Sequence, residues 1–324
     1  MMQKRKLGNN LEVSAVGYGA MGLSHAYGPA LDRSAAIKVI QSAIDQGYTL
    51  IDTAALYVGK YADGTPAINE KLVGAAIKPF RQEITLATKG GVRFEGTTLK
   101  LDSRPTELRR EVEASLQRLG VDTIDLYYQH MPDPKVAPEE VAETMGDLIR
   151  EGKIKHWGIS NADADYIQRA DAVTKVTAVQ GKFSMIARQS ARLFPMLAQR
   201  QIGFVAYSPL ASGFLTAPTS SERNRQDNLD FRNMMHQYTA EGKAEARDIS
   251  TMLGQLAREK QATPSQISLA WVLHKEPWIV PIPGTRQVNR LAENAAAETI
   301  NLSDTEMAQI DELLDRVNYE QYGQ

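Results

Sequence analysis

The sequence predicts a (β/α)8 TIM barrel with an N-terminal β-hairpin and extra C-terminal helices. Apolar segments of strand length alternate eight times with amphipathic segments of helix length, which is the order of elements in such a barrel. The length of 324 residues suits one barrel, and no stretch rich in Pro, Gly or Ser divides the chain. We therefore expect residues 1–324 to form a single barrel domain.

Local signals place the elements in order. Gly8-Asn9-Asn10, between two short extended runs, predicts the hairpin. Ser103 before Pro105 predicts the beginning of a helix, because proline suits the first helical turn. Ser303 followed by Glu306 predicts a capping box at the last helix. The predicted strands cover residues 16–18, 50–51, 83–88, 123–128, 153–159, 176–180, 204–207 and 278–282, and the predicted helices cover residues 34–46, 68–77, 105–119, 138–151, 163–172, 190–200, 246–260 and 264–274, with two more from Gln287 and Asp304.

The composition argues against several classes of function. The chain has no cysteine, so a disulfide, a thiol nucleophile and a cysteine-bound metal are excluded, and we expect no metal site. A net charge of −2 gives no electrostatic reason for binding nucleic acid or an anionic membrane. No apolar run is long enough to span a bilayer, and the first residues lack the pattern of a signal peptide. We expect a cytoplasmic protein, and its oligomeric state stays open.

Polar residues follow the predicted strands where each strand ends. In a barrel these ends converge on one face, which carries the active site. Asp52 and Tyr57 follow the second strand, and Lys89 and His130 end the next two. Tyr57 can donate a proton to a carbonyl oxygen, and Lys89, held by Asp52, is expected to lower the pKa of the phenol. His130 can donate a hydrogen bond to the same oxygen, whereas the hydride has to come from a cofactor because no side chain supplies one.

Together with these residues, further motifs in a fixed order resemble the aldo-keto reductase family from the hairpin to about residue 315. The matching pieces are Gly19-Ala20-Met21-Gly22, Asp52-Thr53-Ala54 with Tyr57, Asn69-Glu70, Thr88-Lys89, Asp125-Leu126-Tyr127 with His130, Gly158-Ile159-Ser160-Asn161, Val179-Gln180, Ala206-Tyr207-Ser208-Pro209-Leu210 and Pro281-Ile282-Pro283-Gly284-Thr285. Met21-Gly22-Leu23-Ser24 followed by Tyr27-Gly28-Pro29 resembles the pyridoxal-reductase-like branch of that family.

The resemblance implies an NADPH-dependent oxidoreductase that reduces a small carbonyl substrate, an aldehyde or activated ketone, with hydride from nicotinamide C4 and a proton from Tyr57. It assigns the catalytic tetrad to Asp52, Tyr57, Lys89 and His130. It places the nicotinamide amide against Ser160, Asn161 and Gln180, with Tyr207 stacked on the ring. It places the pyrophosphate near Ser208, Leu210 and Ser212. The adenosine 2′-phosphate would lie near Thr285, Arg286 and Arg290, and the adenine near Glu293 and Asn294. Gly19, Ala20, Met21, Asp52, Pro209 and Gly284 complete the cofactor-binding set, and the substrate pocket is expected to include Met21, Tyr57, His130 and Trp157.

The sequence departs from the family pattern at two positions. Many relatives have lysine at the position of Gly284 and glycine at that of Ala211. Arg286 would therefore have to supply the positive charge for the 2′-phosphate. The alternative, that Arg286 and Arg290 are solvated charges of an exposed helix, stays open.

Two other motifs match known sites less well. The run Gly17-x-Gly19-x-x-Gly22 matches a dinucleotide fingerprint, but no helical pattern opens after it. The run Asn161-x-Asp163-x-Asp165 lacks the glycine and glutamate of a calcium loop and is better explained as a helix N-terminus. Neither motif changes the prediction.

Alternatives of a different class also remain. The chain could be a reductase-like barrel that holds NADPH as a redox sensor or regulatory subunit with little turnover. It could also be a cofactor-free barrel enzyme that acts on a phosphorylated substrate at residues 284–290.

We expect the histidines other than His130 to have structural roles, although His25 could line the pocket. The polar stretch 211–242 is expected to be an irregular active-site loop.

Overall fold

The computed structural model describes residues 2–96, 98–216 and 230–316. The strands are β1 (Lys4–Leu7), β2 (Leu11–Ser14), β3 (Tyr18–Gly19), β4 (Leu50–Asp52), β5 (Val58–Lys60), β6 (Pro66–Ile68), β7 (Thr85–Gly90), β8 (Val92–Glu95), β9 (Thr98–Leu101), β10 (Ile124–Gln129), β11 (Ile154–Ser160), β12 (Ala178–Lys182), β13 (Gly203–Tyr207) and β14 (Ile279–Pro281). The helices are α1 (Arg33–Asp45), α2 (Asn69–Ile77), α3 (Pro105–Leu119), α4 (Pro138–Arg150), α5 (Ala164–Val173), α6 (Phe194–Arg200), α7 (Ala240–Glu245), α8 (Arg247–Glu259), α9 (Pro264–Lys275), α10 (Val288–Ala296) and α11 (Asp304–Asp315).

Within the described residues, eight parallel strands form a barrel in the order β3-β4-β7-β10-β11-β12-β13-β14. The first strand meets the last, because the backbone N–H of Gly17 donates to the carbonyl oxygen of Pro281 at 2.9 Å. At this seam a Cβ on Gly19 would lie 2.7 Å from the carbonyl oxygen of Ile282, and a Cβ on Gly284 would lie 2.7 Å from that of Gly19. Closure therefore requires glycine on both sides of the seam, and the predicted fold class is confirmed.

Two apolar layers stabilise the barrel. A small cluster fills its interior, with side chains from most of the strands: Leu50, Ala87, Leu126, Tyr128, Ala178, Val205, Val280 and Ile282. The hairpin of β1 and β2 adds Leu7, Leu11 and Val13 to this cluster and covers the amino-terminal end of the barrel. A larger cluster packs the outer face of the sheet against the helices. The opposite end of the barrel stays open for the polar residues that follow the strands.

The capping predictions had mixed outcomes. The box at Ser303 and Glu306 is confirmed, since the Ser303 hydroxyl accepts from the Glu306 N–H and the Glu306 carboxylate accepts from the Ser303 N–H. The prediction for Ser103 is wrong, because the N-cap of α3 is Arg104, with no side-chain bond. Ser103 Oγ instead accepts a hydrogen bond from Gln129 Nε2 at 2.8 Å, which ties the loop to the end of β10.

Some elements differ from their predicted extents. The helix predicted over residues 190–200 begins as a 3-10 turn, Gln189–Leu193, and becomes α6 only at Phe194, where a proline occupies the first turn. Two short hairpins, β5–β6 and β8–β9, were not predicted. The stretch expected to be an irregular loop contains 3-10 turns at Ala211–Gly213 and Phe231–Met234 and the short helix α7, while residues 217–229 lie outside the described part. None of the described helices has the length and apolar composition that a bilayer span requires.

Candidate active site

A buried ion pair lies where β4 and β7 end. Lys89 Nζ donates to Asp52 Oδ1 at 2.5 Å and to the carbonyl oxygen of Thr53 at 2.8 Å. The two charged side chains are only 1% and 4% exposed. The second Asp52 oxygen accepts from Gln180 Nε2 at 2.9 Å. Burial lowers the pKa of Lys89, opposed by the Asp52 carboxylate that raises it.

Tyr57 lies beside this ion pair. Lys89 Nζ is 5.2 Å from the centroid of the Tyr57 ring. Burial raises the pKa of Tyr57 well above its usual value, and the Asp52 carboxylate raises it further. This net shift is opposite to the lowering predicted from Lys89, because burial of the phenol is its largest cause and the Asp52 carboxylate adds to it. Tyr57 therefore keeps its proton at neutral pH and can act as a proton donor.

His130 completes the group from the next strand of the sheet, β10. The rings of Tyr57 and His130 meet edge to face, with centroids 6.0 Å apart and planes at 86°. Burial lowers the pKa of His130 to about 3, and the Lys89 ammonium lowers it further. The imidazole is therefore neutral at neutral pH. Its Nδ1 is buried and has no hydrogen-bond partner among the described residues.

A second polar cluster follows β11, β12 and β13. Asn161, held at φ 59°, donates from Nδ2 to Ser160 Oγ at 3.0 Å and to the carbonyl oxygen of His130 at 3.2 Å. Its Oδ1 accepts from the Tyr207 hydroxyl at 3.0 Å. With Gln180, which reaches Asp52, this cluster is continuous with the ion pair. Asn161, Gln180 and Tyr207 line one wall of a cavity of about 500 Å³.

Comparison with known proteins shows the family of the chain. A model of the aldo/keto reductase family matches residues 15–315. The chain belongs to the aldo/keto reductase family. It is 37% identical over 320 residues to a probable aldo-keto reductase of Glycine max, covering 95% of this chain and 88% of the relative. It is 34% identical to an aldo-keto reductase of Strobilurus tenacellus, covering 95% and 91%.

Solved structures agree with this assignment. A glycerol dehydrogenase from Gluconobacter oxydans superposes with a TM-score of 0.85 at 25% identity, covering 98% of this chain and 96% of that one. An aldo/keto reductase from Klebsiella pneumoniae, solved in complex with NADP and acetate, superposes with a TM-score of 0.71 at 27% identity, covering 97% and 96%. The resemblance to the pyridoxal-reductase-like branch stays a prediction.

The loop after β13 has several residues in the left-handed backbone region. Ser208, Ala211 and Ser212 have φ of 52°, 48° and 58°, and Gly213 follows at 95°. Residues other than glycine rarely adopt this conformation because it is strained. Strained backbone of this kind occurs mostly at functional sites. Backbone N–H groups arranged around left-handed residues form concave sites for anions. The Ser208–Gly213 loop is therefore a candidate phosphate site.

Arg286 and Arg290 lie in different environments. Arg286 donates from Nε to the carbonyl oxygen of Gly22 at 2.5 Å and from Nη1 to that of Pro29 at 3.0 Å. Its Nη2 is buried and has no partner within the described residues. Arg290 instead forms an ion pair with Glu293 at 2.5 Å. Arg286 is thus not a solvated helix charge, whereas Arg290 is already paired beside the helix start.

The remaining predicted cofactor residues flank this region. Tyr18 donates its hydroxyl to the carbonyl oxygen of Thr285 at 2.7 Å. Asn294 is buried at 3% exposure, and the Glu293 carboxylate also accepts from Thr263 Oγ1 at 2.8 Å. Gly19 and Gly284 belong to the barrel seam. The structure thus brings the predicted residues to two neighbouring places, one around Asn161 and one around Arg286.

The prediction that Trp157 lines the substrate pocket is wrong. Trp157 is fully buried in the layer between the sheet and the helices. Its Nε1 donates to the carbonyl oxygens of Thr174 at 3.2 Å and Lys175 at 3.0 Å. Successive residues of a strand face opposite sides, and this one faces the helices. Met21, by contrast, begins the 3-10 turn Met21–Leu23 next to the seam and is partly exposed.

His25, for which the sequence indicated only that it could line the pocket, contacts Tyr57. Its ring stacks on the Tyr57 ring with centroids 5.8 Å apart and planes at 20°. Its Nδ1 lies 3.2 Å from the carbonyl oxygen of Val58. The contact joins two loops that are far apart in the chain, so no local pattern could have indicated it.

A strap connects the loop after β3 with the segment that follows the undescribed residues. Tyr27 and Asp230 form an isolated antiparallel bridge, and the Phe231 N–H donates to the carbonyl oxygen of Ala26 at 2.9 Å. The Tyr27 hydroxyl donates to Ser212 Oγ at 3.2 Å. The strap therefore contacts the candidate phosphate loop through Tyr27.

The close contact at Gly59 gives a stability prediction. A Cβ at this position would lie 1.7 Å from the carbonyl oxygen of Ser24. Gly59→Ala should therefore lower the free energy of unfolding by about 1–3 kcal/mol, because backbone must move to relieve the overlap. Gly254→Ala is the matched control, since a Cβ there meets nothing nearer than 3.7 Å and the site is inside α8. Melting temperatures of both variants test this, and a Gly59→Ala protein as stable as wild type would contradict it.

Proposed function

We propose that the protein reduces an aldehyde or activated ketone to the alcohol with NADPH. The observation that carries this proposal is the Tyr57 phenol, kept protonated by burial, between a neutral His130 and the Lys89–Asp52 pair. NADPH, when bound, supplies a hydride from nicotinamide C4. The chain supplies the proton, the orientation of the carbonyl group and the binding of the cofactor.

Each member of the group has a distinct role in the proposal. Tyr57 donates its proton to the carbonyl oxygen as negative charge develops there. The neutral imidazole of His130 donates a hydrogen bond to the same oxygen and orients it. The phenolate left on Tyr57 is stabilised by the Lys89 ammonium 5.2 Å from the ring centroid, and Asp52 holds that ammonium in place.

The residues near the site fit the cofactor. The amide and hydroxyl groups of Ser160, Asn161 and Gln180 suit a carboxamide, and Tyr207 offers a ring for stacking. The left-handed backbone from Ser208 to Gly213 suits a pyrophosphate. The buried, unpartnered Nη2 of Arg286 suits a further phosphate. NADP and NADPH in the Klebsiella pneumoniae relatives support the same choice.

Preference for NADPH over NADH is expected to depend on Arg286 more than on Arg290. In the Arg286→Ala/Arg290→Ala protein the ratio of NADPH affinity to NADH affinity should be about tenfold lower than in wild type, because a guanidinium–phosphate contact is lost. Arg290→Ala alone should lose less, since Arg290 is paired with Glu293. Quenching of protein fluorescence by each nucleotide gives both dissociation constants, and NADH binding serves as the internal control for folding. An unchanged ratio in the double variant would defeat the phosphate assignment.

A panel of carbonyl compounds tests the reaction itself. NADPH consumption is followed with 4-nitrobenzaldehyde, methylglyoxal and pyridoxal as separate substrates. We expect turnover with at least one of them. Tight NADPH binding with no turnover across a broad panel would refute the proposal and favour a barrel that binds NADPH as a sensor or regulatory subunit.

A further inference from the structure

A buried glutamate lies behind the strand end that carries Lys89. Glu111 belongs to α3, which packs against β7 on the outer face of the sheet, and it is 7% exposed. Its Oε2 accepts a hydrogen bond from the backbone N–H of Gly91 at 2.5 Å. Among the described residues it forms no ion pair, whereas the nearby Glu70 is paired with Arg118. Burying an acid without a cation is costly, so its place beside this strand end indicates a specific role.

One peptide group connects Glu111 with His130. The N–H of Gly91 and the C=O of Gly90 belong to the same peptide, and that carbonyl oxygen accepts from the His130 N–H at 2.9 Å. Hydrogen bonds in series polarise one another. The carboxylate therefore makes the Gly90 carbonyl oxygen a stronger acceptor, and it holds the backbone of His130 through a single intervening peptide.

The chain leaves no room for a side chain at this peptide. A Cβ on Gly90 would lie 2.0 Å from the Tyr127 hydroxyl and 2.5 Å from Glu111 Oε2. Gly91 follows with a φ of 85°, a backbone conformation that favours glycine. Both glycines are thus required to bring the peptide against the carboxylate.

The place of the His130 imidazole depends on this backbone. Its Nδ1 has no hydrogen-bond partner in the part of the chain that the structure describes, so no bond at that nitrogen fixes the ring. The backbone is fixed on both sides, because its N–H donates to Gly90 and its carbonyl oxygen accepts from Asn161 Nδ2 at 3.2 Å. A small movement of this backbone would therefore move the imidazole relative to Tyr57.

We propose that Glu111 is a positioning residue for carbonyl reduction: from outside the barrel it fixes His130 through the Gly90–Gly91 peptide, so that the imidazole can orient the carbonyl oxygen beside Tyr57. This inference rests on the proposed reduction and adds a residue to it. Glu111 contacts neither substrate nor cofactor, and it takes no part in the proton or hydride transfer.

Substitutions on α3 test the proposal with an aldehyde that wild type reduces. Glu111→Met has a side chain of similar length without an oxygen acceptor, and it should lower kcat about tenfold or more, because a small misplacement of a reacting or orienting group is costly. Glu111→Gln keeps an acceptor oxygen and should retain most of kcat. Glu113→Met is the control, since Glu113 is 47% exposed on the same helix and is paired with Lys153. The dissociation constant for NADPH should stay near the wild-type value in all three variants.

Backbone amide resonances test the same connection without any turnover. Labelling with ¹⁵N-histidine gives signals from five histidines, and His130→Gln identifies the His130 signal by its loss. Spectra are recorded at mildly alkaline pH, where the Glu111 carboxyl is ionised although burial raises its pKa. In Glu111→Met the His130 amide proton should move upfield, further than that of any other histidine, because its acceptor is less polarised. Glu111→Gln should move it in the same direction by less, since a neutral acceptor is weaker than a carboxylate.

The outcomes separate this inference from the proposed function. If wild type reduces no aldehyde, the proposed function fails, while a shifted His130 resonance still supports the connection to Glu111. An unmoved His130 resonance, or wild-type kcat in Glu111→Met, overturns the inference. Equal losses of kcat in Glu111→Gln and Glu111→Met, or weaker NADPH binding in both, would also contradict it, because the effect would then be a general loosening of the barrel. If Glu111→Met does not fold, the His130 resonance of Glu111→Gln decides.

Discussion

Tyr57→Phe is expected to lower kcat for aldehyde reduction by a factor of about 10²–10⁴, the contribution of a positioned proton donor. Phenylalanine preserves the ring beside Lys89 and between the imidazoles of His25 and His130. Only the hydroxyl is removed, so the carbonyl oxygen loses the proton source that we propose. The effect should appear in single-turnover rates measured with saturating NADPH, while the dissociation constant for NADPH changes little.

The matched control for this variant is Tyr61→Phe. Tyr61 follows β5 on the same hairpin and is partly buried, but it is not part of the group around Lys89. It should retain the wild-type rate. Reduction of aromatic aldehydes at nearly the wild-type rate by Tyr57→Phe would show that another group supplies the proton.

Lys89→Met is expected to destabilise the fold as well as abolish reduction. The substitution leaves the Asp52 carboxylate at 4% exposure, with Gln180 as its one remaining side-chain hydrogen-bond donor within the described residues. An unpaired buried charge of this kind costs about 3–5 kcal/mol. The melting temperature should therefore fall well below that of wild type.

A second substitution separates the electrostatic effect from lost packing. In Asp52→Asn/Lys89→Met the carboxylate is replaced by a neutral amide of nearly the same shape, so most of the lost stability should return. Activity should not return, because no cation remains to stabilise a phenolate on Tyr57. A double variant as unstable as Lys89→Met would mean that the lysine stem, and not the charge pair, holds this part of the barrel.

The sequence was sufficient for the fold and for the group around Tyr57, for a physical reason. Asp52, Lys89 and His130 each lie at the carboxyl end of a strand, and parallel strands of a barrel bring those positions together whatever the loops do. The same reasoning failed for Trp157. Strands covered on both faces are apolar throughout, so the sequence does not show which of their side chains face the helices.

Other features depend on contacts that no local pattern contains. The stacking of His25 on Tyr57 and the bridge between Tyr27 and Asp230 each join separate loops. The direction of the pKa shift at Tyr57 depends on how deeply the phenol is buried and on the pairing of Lys89 with Asp52. Spacing along the chain indicates which residues lie near a group, but it does not indicate how deeply that group is buried.

The seam between Gly17 and Pro281 has a consequence for biosynthesis. On the ribosome the first strand of the barrel emerges long before β14, so the nascent sheet keeps two open edges until synthesis is nearly finished. Open edges pair readily with other chains, and chains truncated before Ile279 should therefore aggregate or require chaperones. Arg286 follows the closing strand within a few residues. If Arg286 binds the cofactor as proposed, full affinity for NADPH would require a chain that has been synthesised past the closing strand.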